Sequence, residues 1–320
     1  MTAPTRDIIA VEEHFMEHSL AQHLGKAAAP QAAVSDKLYD FFEGRIAQMD
    51  AAGIAKQVLS HQSPGSQRLP DDVAVEACRN VNDALAAVIA REPARFDGFA
   101  MLPTNLPEAA ADELQRAVQE RGLKGAMIHG LNHGEFLDLP RYRPIFAAAE
   151  RLGVPIYIHP SLPDKIVTER YYAPYDESHH MMTRAGWGFG VEAGTQAVRL
   201  ILSGLFDEMP DLKILLGHLG EGIPFQLVRM DESFSRKGNL PTRFGETFRN
   251  NFWITTSGAF SDSALRCSIE ELGVDRILFA VDYPYIASAD GVTWFDNFPL
   301  PDEDKAKIYA GNARRLLGLD

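Results

Sequence analysis

The chain has 320 residues, 46% of them hydrophobic and 23% charged, with a formal net charge of −13. That is ordinary for a soluble protein with a large core, and the acidic balance argues against nucleic acid or an anionic membrane as the main partner. Two cysteines, Cys78 and Cys267, make no disulfide framework, no apolar run approaches the roughly 20 residues that span a bilayer, and residues 1–7 lack a basic-then-apolar leader, so reduced thiols and a cytoplasmic location are expected.

A strand is expected over 8–15, where Ile8-Ile9-Ala10-Val11 ends abruptly in Glu12-Glu13-His14-Phe15. Strict alternation puts Ile8, Ala10, Glu12 and His14 on one face and Ile9, Val11 and Glu13 on the other. Residues 16–35 read as a loop or short helix over the site. A helix is expected over 36–52, with Leu38, Phe41, Phe42, Ile46 and Met49 at helical spacing and Gly53 closing it. Then follow strand 56–60 with loop 61–67, helix 71–91, strand 96–102, helix 107–121, strand 124–129, helix 141–152 and strand 154–159, which ends in His159. Residues 160–190 break the rhythm with Pro160, Pro163, Pro174 and several aromatics. A connection this long is usually functional or disordered, and its aromatic content favours an ordered lid. Helix 191–207, strand 212–216, helix 224–235, strand 252–257, helix 261–272, strand 276–281 and a final helix over 302–317 complete the chain.

Strands alternating with helices imply parallel pairing through right-handed crossovers. Eight such units without a domain break over 1–320 give an α/β fold of one domain, a closed (β/α)8 TIM barrel with a lid insertion after strand five. A doubly wound sheet is the alternative, but no glycine fingerprint follows strand one.

Position carries the functional signal. Glu12 and His14 end strand one, His159 ends strand five, His218 follows strand six and Asp282 follows strand eight. In a barrel these ends converge on one face. Glu12, His14, His159 and Asp282 make a nitrogen and oxygen set suited to zinc, manganese or a similar divalent ion. His218 and Glu221, three apart in a glycine-rich loop, form a candidate proton-handling pair with Asp282. In the plainer alternative His159 caps its strand, His218 is a hydrogen-bonded core histidine, Glu221 caps the next helix and Asp282 caps a turn. Glu13 is expected to face the outer helices and pair with a base there. His129 belongs either beside the site or in a structural role, and His179-His180 reads as solvated loop.

The motifs Val11-Glu12-Glu13-His14-Phe15, Tyr157-Ile158-His159-Pro160, Gly217-His218-Leu219-Gly220-Glu221 and Val281-Asp282-Tyr283-Pro284 resemble the amidohydrolase superfamily. More narrowly they are similar to its metal-dependent nonoxidative decarboxylases, the group of γ-resorcylate, 2,3-dihydroxybenzoate, 5-carboxyvanillate and aminocarboxymuconate semialdehyde decarboxylases. The resemblance runs from residue 8 to 318. Glu12 in place of a first histidine fits the hydroxybenzoate enzymes, and the absence of a lysine at the end of strand four implies a single metal ion. His61 and the segment Tyr285-Ile286 depart from the group's usual pattern.

The resemblance implies one divalent ion, zinc or manganese with magnesium admissible, and a small aromatic acid with a hydroxyl ortho to its carboxylate. Protonated Asp282 would deliver a proton to the ring carbon bearing the carboxylate, with His218 and Glu221 supplying it. Arg229, His61, Phe189 and Tyr285 would contact substrate, Trp187 adding to the apolar wall. A homotetramer or homodimer is implied, with lid segments meeting at the interface. The alternative chemistry is metal-assisted hydrolysis of a lactone or ester with Asp282 as base; a non-catalytic binding barrel is a third reading.

Overall fold

The computed structural model describes residues 7–24, 32–175, 177–235 and 240–319. Its strands are β1 (Ile9–Phe15), β2 (Lys56–His61), β3 (Phe96–Gly98), β4 (Ala126–His129), β5 (Ile156–His159), β6 (Ile214–Leu216), β7 (Phe252–Thr255) and β8 (Ile277–Leu278). Every pairing is parallel. Pairing runs in order through β1-β2-β3 and through β4 to β8. Single bridges at Ala100–Ala126 and Glu13–Tyr283 join the two runs and close the ring. The fold is the α/β barrel expected from the alternation of elements.

Two apolar layers follow from this closure. Ile9, Val11, Val58, Phe99, Met127, Tyr157 and Leu215 fill the barrel interior. Ile8, Ala10, Phe15, Leu59 and their partners pack outward against the helices. Parallel strands leave all their C-terminal ends on one face, and the site forms there.

Strict alternation fails in β1. Its register against β2 jumps between Ala10 and Glu13, a β-bulge. Val11 points inward, and the extra residue lets Glu12 follow it inward, where it meets interior Tyr157. Glu12 and His14 do share a face, but it is the face of Ile9 and Val11 rather than of Ile8 and Ala10. Glu13 and Phe15 turn outward.

Other strands end early because side chains replace ladder partners. Past β3, the Met101 N–H and C=O bond to Asn82 at 2.8 and 2.9 Å. Past β8, the Thr256 hydroxyl donates to the Ala280 carbonyl at 2.8 Å and accepts from its N–H at 3.0 Å. The helix expected over 36–52 is two, Ala32–Tyr39 and Glu43–Ala52, because the Asp40 carboxylate accepts the Phe42 and Gly44 N–H groups at 2.9 and 2.7 Å. That expected over 191–207 is Gly188–Leu202 and Leu205–Glu208, broken where Gly204 takes φ 76°. The final helix contains a wider turn over Lys307–Gly311. Helices Phe244–Asn251 and Ser288–Asn297 were not anticipated.

After β5, the long connection consists of short helical turns (Lys165–Val167, Thr168–Tyr172, Ala173–Tyr175 and His180–Thr183) leading into Gly188–Leu202. His179 and His180 are exposed in it. Of the cover expected over 16–35, residues 25–31 lie outside the described residues. The flanking parts are helices His18–Leu24 and Ala32–Tyr39. Both cysteines are free thiols. Among the described residues no helix is long and apolar enough to cross a membrane.

Candidate metal centre

Three strand ends, those of β1, β5 and β8, bring one atom each from Glu12, His14, His159 and Asp282 within 4.8 Å of one another. His14 Nε2 lies 3.1 Å from Asp282 Oδ1, and His159 Nε2 lies 3.3 Å from Glu12 Oε1. His14 Nε2 is 3.9 Å from the same glutamate oxygen. A small divalent cation sits about 2 Å from each nitrogen or oxygen ligand, which places those ligands about 3 to 4 Å apart. Glu12 Oε1 and His14 Nε2 are buried and have no hydrogen-bond partner. Buried polar atoms are almost always partnered, so two orphans aimed at one point, with a second imidazole and a carboxylate, fit a bound cation.

The opposite edge of each ligand is tied down, the usual way a ligand atom is aimed. Glu12 Oε2 accepts from the Tyr157 hydroxyl and, at 3.2 Å, from the Thr255 hydroxyl. The bulge makes this possible by directing Glu12 into the barrel beside β5. Gly217 leaves the room, since a Cβ there would stand 2.9 Å from Glu12 Oε2. His14 Nδ1 faces the Ser60 hydroxyl at 3.3 Å. His159 Nδ1 lies 2.7 Å from the Pro160 carbonyl, which only accepts, so Nδ1 carries the proton and Nε2 presents its lone pair. The same nitrogen lies 3.0 Å from Nδ1 of buried His129.

His218 and Glu221 sit on a strained loop. Residues 218–222 all have positive φ: His218 49°, Leu219 56°, Gly220 83°, Glu221 54° and Gly222 78°. For the three non-glycine residues this conformation costs roughly 1–3 kcal/mol each. Bonds from Leu219 N–H to Thr255 O (2.8 Å) and Gly220 N–H to Gly217 O (2.8 Å) hold it. The result is a 2.7 Å contact between His218 Nδ1 and Glu221 Oε1, with His218 Nε2 3.9 Å from Glu12 Oε1. Asp282 is strained as well, at φ 76°.

Electrostatics separate these groups. Burial alone would raise the Glu12 carboxyl, but the imidazoles of His218, His159 and His14 hold it well below the usual range. Burial alone would depress His218, but Glu221, Glu12 and Asp282 hold its imidazole up to about 10. A bound cation's own charge works against that rise. Burial, with the imidazoles of His159 and His14 close by, keeps His129 well below its ordinary value.

His218 and Glu221 line a cavity of about 590 Å3 whose apolar wall includes Trp187, Phe189, Val198 and Met230. Tyr285 stands beside the cluster, its ring 5.9 Å from that of His14 and its hydroxyl 2.5 Å from Gln62 Oε1. Two expected substrate contacts are not brought there. Arg229 is exposed on helix Ile223–Ser235, while its neighbours Gln226 and Met230 line the cavity. His61 is buried on the outer face of β2 against Phe15. Its Nδ1 meets the Gln62 carbonyl at 2.9 Å and its Nε2 accepts the Glu17 N–H at 3.4 Å. Alternation from interior Val58 gives the reason: Ser60 faces the site, so His61 cannot. Sequence reasoning passed over Ser60, Tyr157 and Thr255. The first two carried a signal, because Ser60 is level with His14 and Tyr157 precedes His159 by two residues on one strand face.

A sequence profile of the amidohydrolase family matches residues 14–319. The γ-resorcylate decarboxylase of Rhizobium sp. (strain MTP-10005) is 38% identical over 326 residues, covering 98% of each chain. A crystal structure of 2,6-dihydroxybenzoate decarboxylase complexed with 2,6-dihydroxybenzoate superimposes with a TM-score of 0.89 at 38% identity, covering 98% of this chain and 99% of that one. A dihydroxybenzoic acid decarboxylase from Polaromonas sp. JS666, with bound manganese and the inhibitor 2-nitroresorcinol, gives 0.89 at 35% identity, covering 98% and 97%.

Proposed function

The chain belongs to the amidohydrolase family, and from that premise we propose that it is a metal-dependent nonoxidative decarboxylase of an aromatic acid with a hydroxyl ortho to its carboxylate. The observation that carries this is the pairing of a four-ligand cluster with the adjacent His218–Glu221 contact, which lines a cavity walled in part by Trp187 and Phe189. The relatives are decarboxylases along their whole length, which favours carbon dioxide release over hydrolysis of a lactone or ester. 2,6-Dihydroxybenzoate is the first substrate to test.

Glu12, His14, His159 and Asp282 hold one divalent ion, manganese or zinc. Once bound, that ion supplies Lewis-acid stabilisation of negative charge on substrate oxygens. Protonated Asp282 gives its proton to the ring carbon that carries the carboxylate. The bond from that carbon to the carboxylate then breaks, its electron pair returns to the ring, and carbon dioxide leaves. His218, hydrogen-bonded to Glu221, returns a proton to Asp282 from solvent. Phe189, Trp187 and Tyr285 exclude water from the ring. The working form is a homodimer or homotetramer, which light scattering of the purified protein tests.

The direct test is manganese-loaded protein with 2,6-dihydroxybenzoate, followed by carbon dioxide and resorcinol release. Asp282→Asn should lower kcat by about 10²–10⁴-fold, the range for loss of a general acid. An unchanged kcat in that variant, with manganese still bound, removes Asp282 from the proton step.

A further inference from the structure

Behind the metal centre, on the outer face of β1, lies a buried polar chain that the proposed reaction does not use. Glu13 Oε1 accepts the Val281 N–H at 2.9 Å, and Oε2 accepts the Tyr283 N–H at 3.3 Å. These are the amides on either side of Asp282. The Asp282 N–H itself bonds to the Glu12 carbonyl at 3.1 Å. One residue of β1 and its predecessor therefore take up three consecutive amides of the β8 loop.

The carboxylate is in turn held from behind. Gln57 Nε2 donates to Glu13 Oε2 at 3.3 Å, and Arg45 Nη1 donates to Gln57 Oε1 at 3.2 Å. Arg45 Nη2 donates to the His14 carbonyl at 2.6 Å, and its guanidinium lies 4.7 Å from the centre of the Tyr283 ring. Glu13, Gln57 and Arg45 are each 0% exposed. The chain thus grips the backbone of one ligand, His14, and the flanks of another, Asp282.

The need for it follows from β8. Its regular strand pairing ends at Leu278. Beyond it the backbone is tied to β1 by Val11 N–H to Phe279 O at 3.1 Å and His14 N–H to Tyr283 O at 2.7 Å, while the Val281 and Tyr283 amides go to the Glu13 side chain, and Asp282 must be kept at φ 76°, where a non-glycine residue is strained. We propose that Glu13 is a positioning residue that sets the Asp282 carboxyl against His14 by clamping the Val281 and Tyr283 amides. Glu13 faces away from the cavity, so it acts through Asp282 and not on substrate. The proposal rests on the reading above that Asp282 is both ligand and acid.

The test is Glu13→Gln. Glutamine keeps the size but offers one accepting oxygen and one donating amide NH2 group, so one flanking backbone N–H meets a donor. Four measurements are made: the absorption spectrum of the cobalt(II)-loaded protein, manganese affinity of the metal-free protein, kcat and KM for 2,6-dihydroxybenzoate, and Tm. Expected are a cobalt spectrum displaced in the direction seen for Asp282→Asn, manganese affinity lower by about 10–100-fold, and a fall in kcat larger than the change in KM. Glu13→Asp, which keeps two acceptor oxygens, should recover part of the cobalt spectrum. Asn82→Ala, which breaks buried bonds to Met101 and Glu113 elsewhere, should lower Tm with no spectral change. A Glu13→Gln protein with the wild-type cobalt spectrum and manganese affinity, and only a lower Tm, overturns the proposal. If that variant fails to fold, Gln57→Leu removes one bond to the carboxylate and is judged by the same spectrum. Wild-type protein that binds cobalt through Asp282 yet releases no carbon dioxide would sink the decarboxylase reading and leave the clamp standing.

Discussion

Glu12 and Glu13 are chain neighbours, both fully buried, and they have opposite fates. Glu12 faces the imidazoles of His218, His159 and His14 inside the barrel, and these neighbours hold its carboxyl well below the usual range in spite of burial. Glu13 faces the helix layer, where burial dominates and pushes its carboxyl well above that range against the Val281 amide and Arg45. One leaves an oxygen without a partner; the other has both oxygens engaged by N–H donors. Residue type and neighbourhood in the chain are the same, so the surroundings alone assign the roles. The bulge at 10–13 makes this contrast possible, because it turns Glu12 inward and Glu13 outward from a strand that strict alternation would have faced the other way.

Glu12→Gln should break the comparison most severely. An amide cannot supply the negative charge that the cation and the three imidazoles face. Loss of the ion removes several kcal/mol of charge stabilisation, so decarboxylation should fall by on the order of 10³-fold or more. Elemental analysis after dialysis should find little manganese in the variant, and full occupancy with full activity would refute the assignment of Glu12 as a ligand.

Thr255→Val sharpens the same contrast at smaller cost. It removes one of the two hydroxyls that fix Glu12 Oε2 while leaving the ligand in place. Metal affinity should drop by about 10–100-fold, the usual effect of losing an outer partner of a ligand. Titration of metal-free protein with manganese reads this directly, and an unaltered affinity means that Tyr157 alone aims the carboxylate.

The convergence of Glu12, His14, His159 and Asp282 was legible because parallel strands in a ring leave every C-terminal end on one face, whatever lies between them. The barrel was legible for the same reason, from the alternation of apolar runs and helical spacing. The bulge was not, since one added residue leaves no mark in residue type. The early ends of β3 and β8 were hidden too, because Asn82, Thr256 and Glu13 stand in for backbone partners and distance in sequence conceals them. Ser60 was legible but missed: alternation from Val58 pointed to it, and attention went to the more reactive His61 beside it.

A third buried glutamate extends the comparison to a place without histidines. Glu192, on helix Gly188–Leu202, is 6% exposed, and its Oε1 has no hydrogen-bond partner. Burial, with the nearby Asp164 charge, pushes its carboxyl up to about 7. Its folded value is above its unfolded one, so its contribution to stability is complete below about pH 4.5 and is lost as pH rises through about 7. The loss is roughly 2–3 kcal/mol. Glu192→Gln should therefore gain on wild type between pH 5 and pH 8, measured by urea unfolding at both values. Parallel pH dependence in the two proteins would show that Glu192 ionises without cost.

The smallest effect on chemistry is expected at His61, the inverse of Ser60 as Glu13 is of Glu12. His61→Ala removes an acceptor from the Glu17 N–H and a donor to the Gln62 carbonyl, both backbone groups on the outer side of the barrel mouth. Leaving such groups unpaired costs roughly 1–3 kcal/mol, so Tm should fall. kcat and KM for 2,6-dihydroxybenzoate should stay close to wild type, because the ring faces Phe15 and not the cavity. A marked rise in KM with Tm unchanged would place the imidazole on the substrate side after all. It would then require β2 to shift its register by one residue, exchanging His61 for Ser60 beside His14.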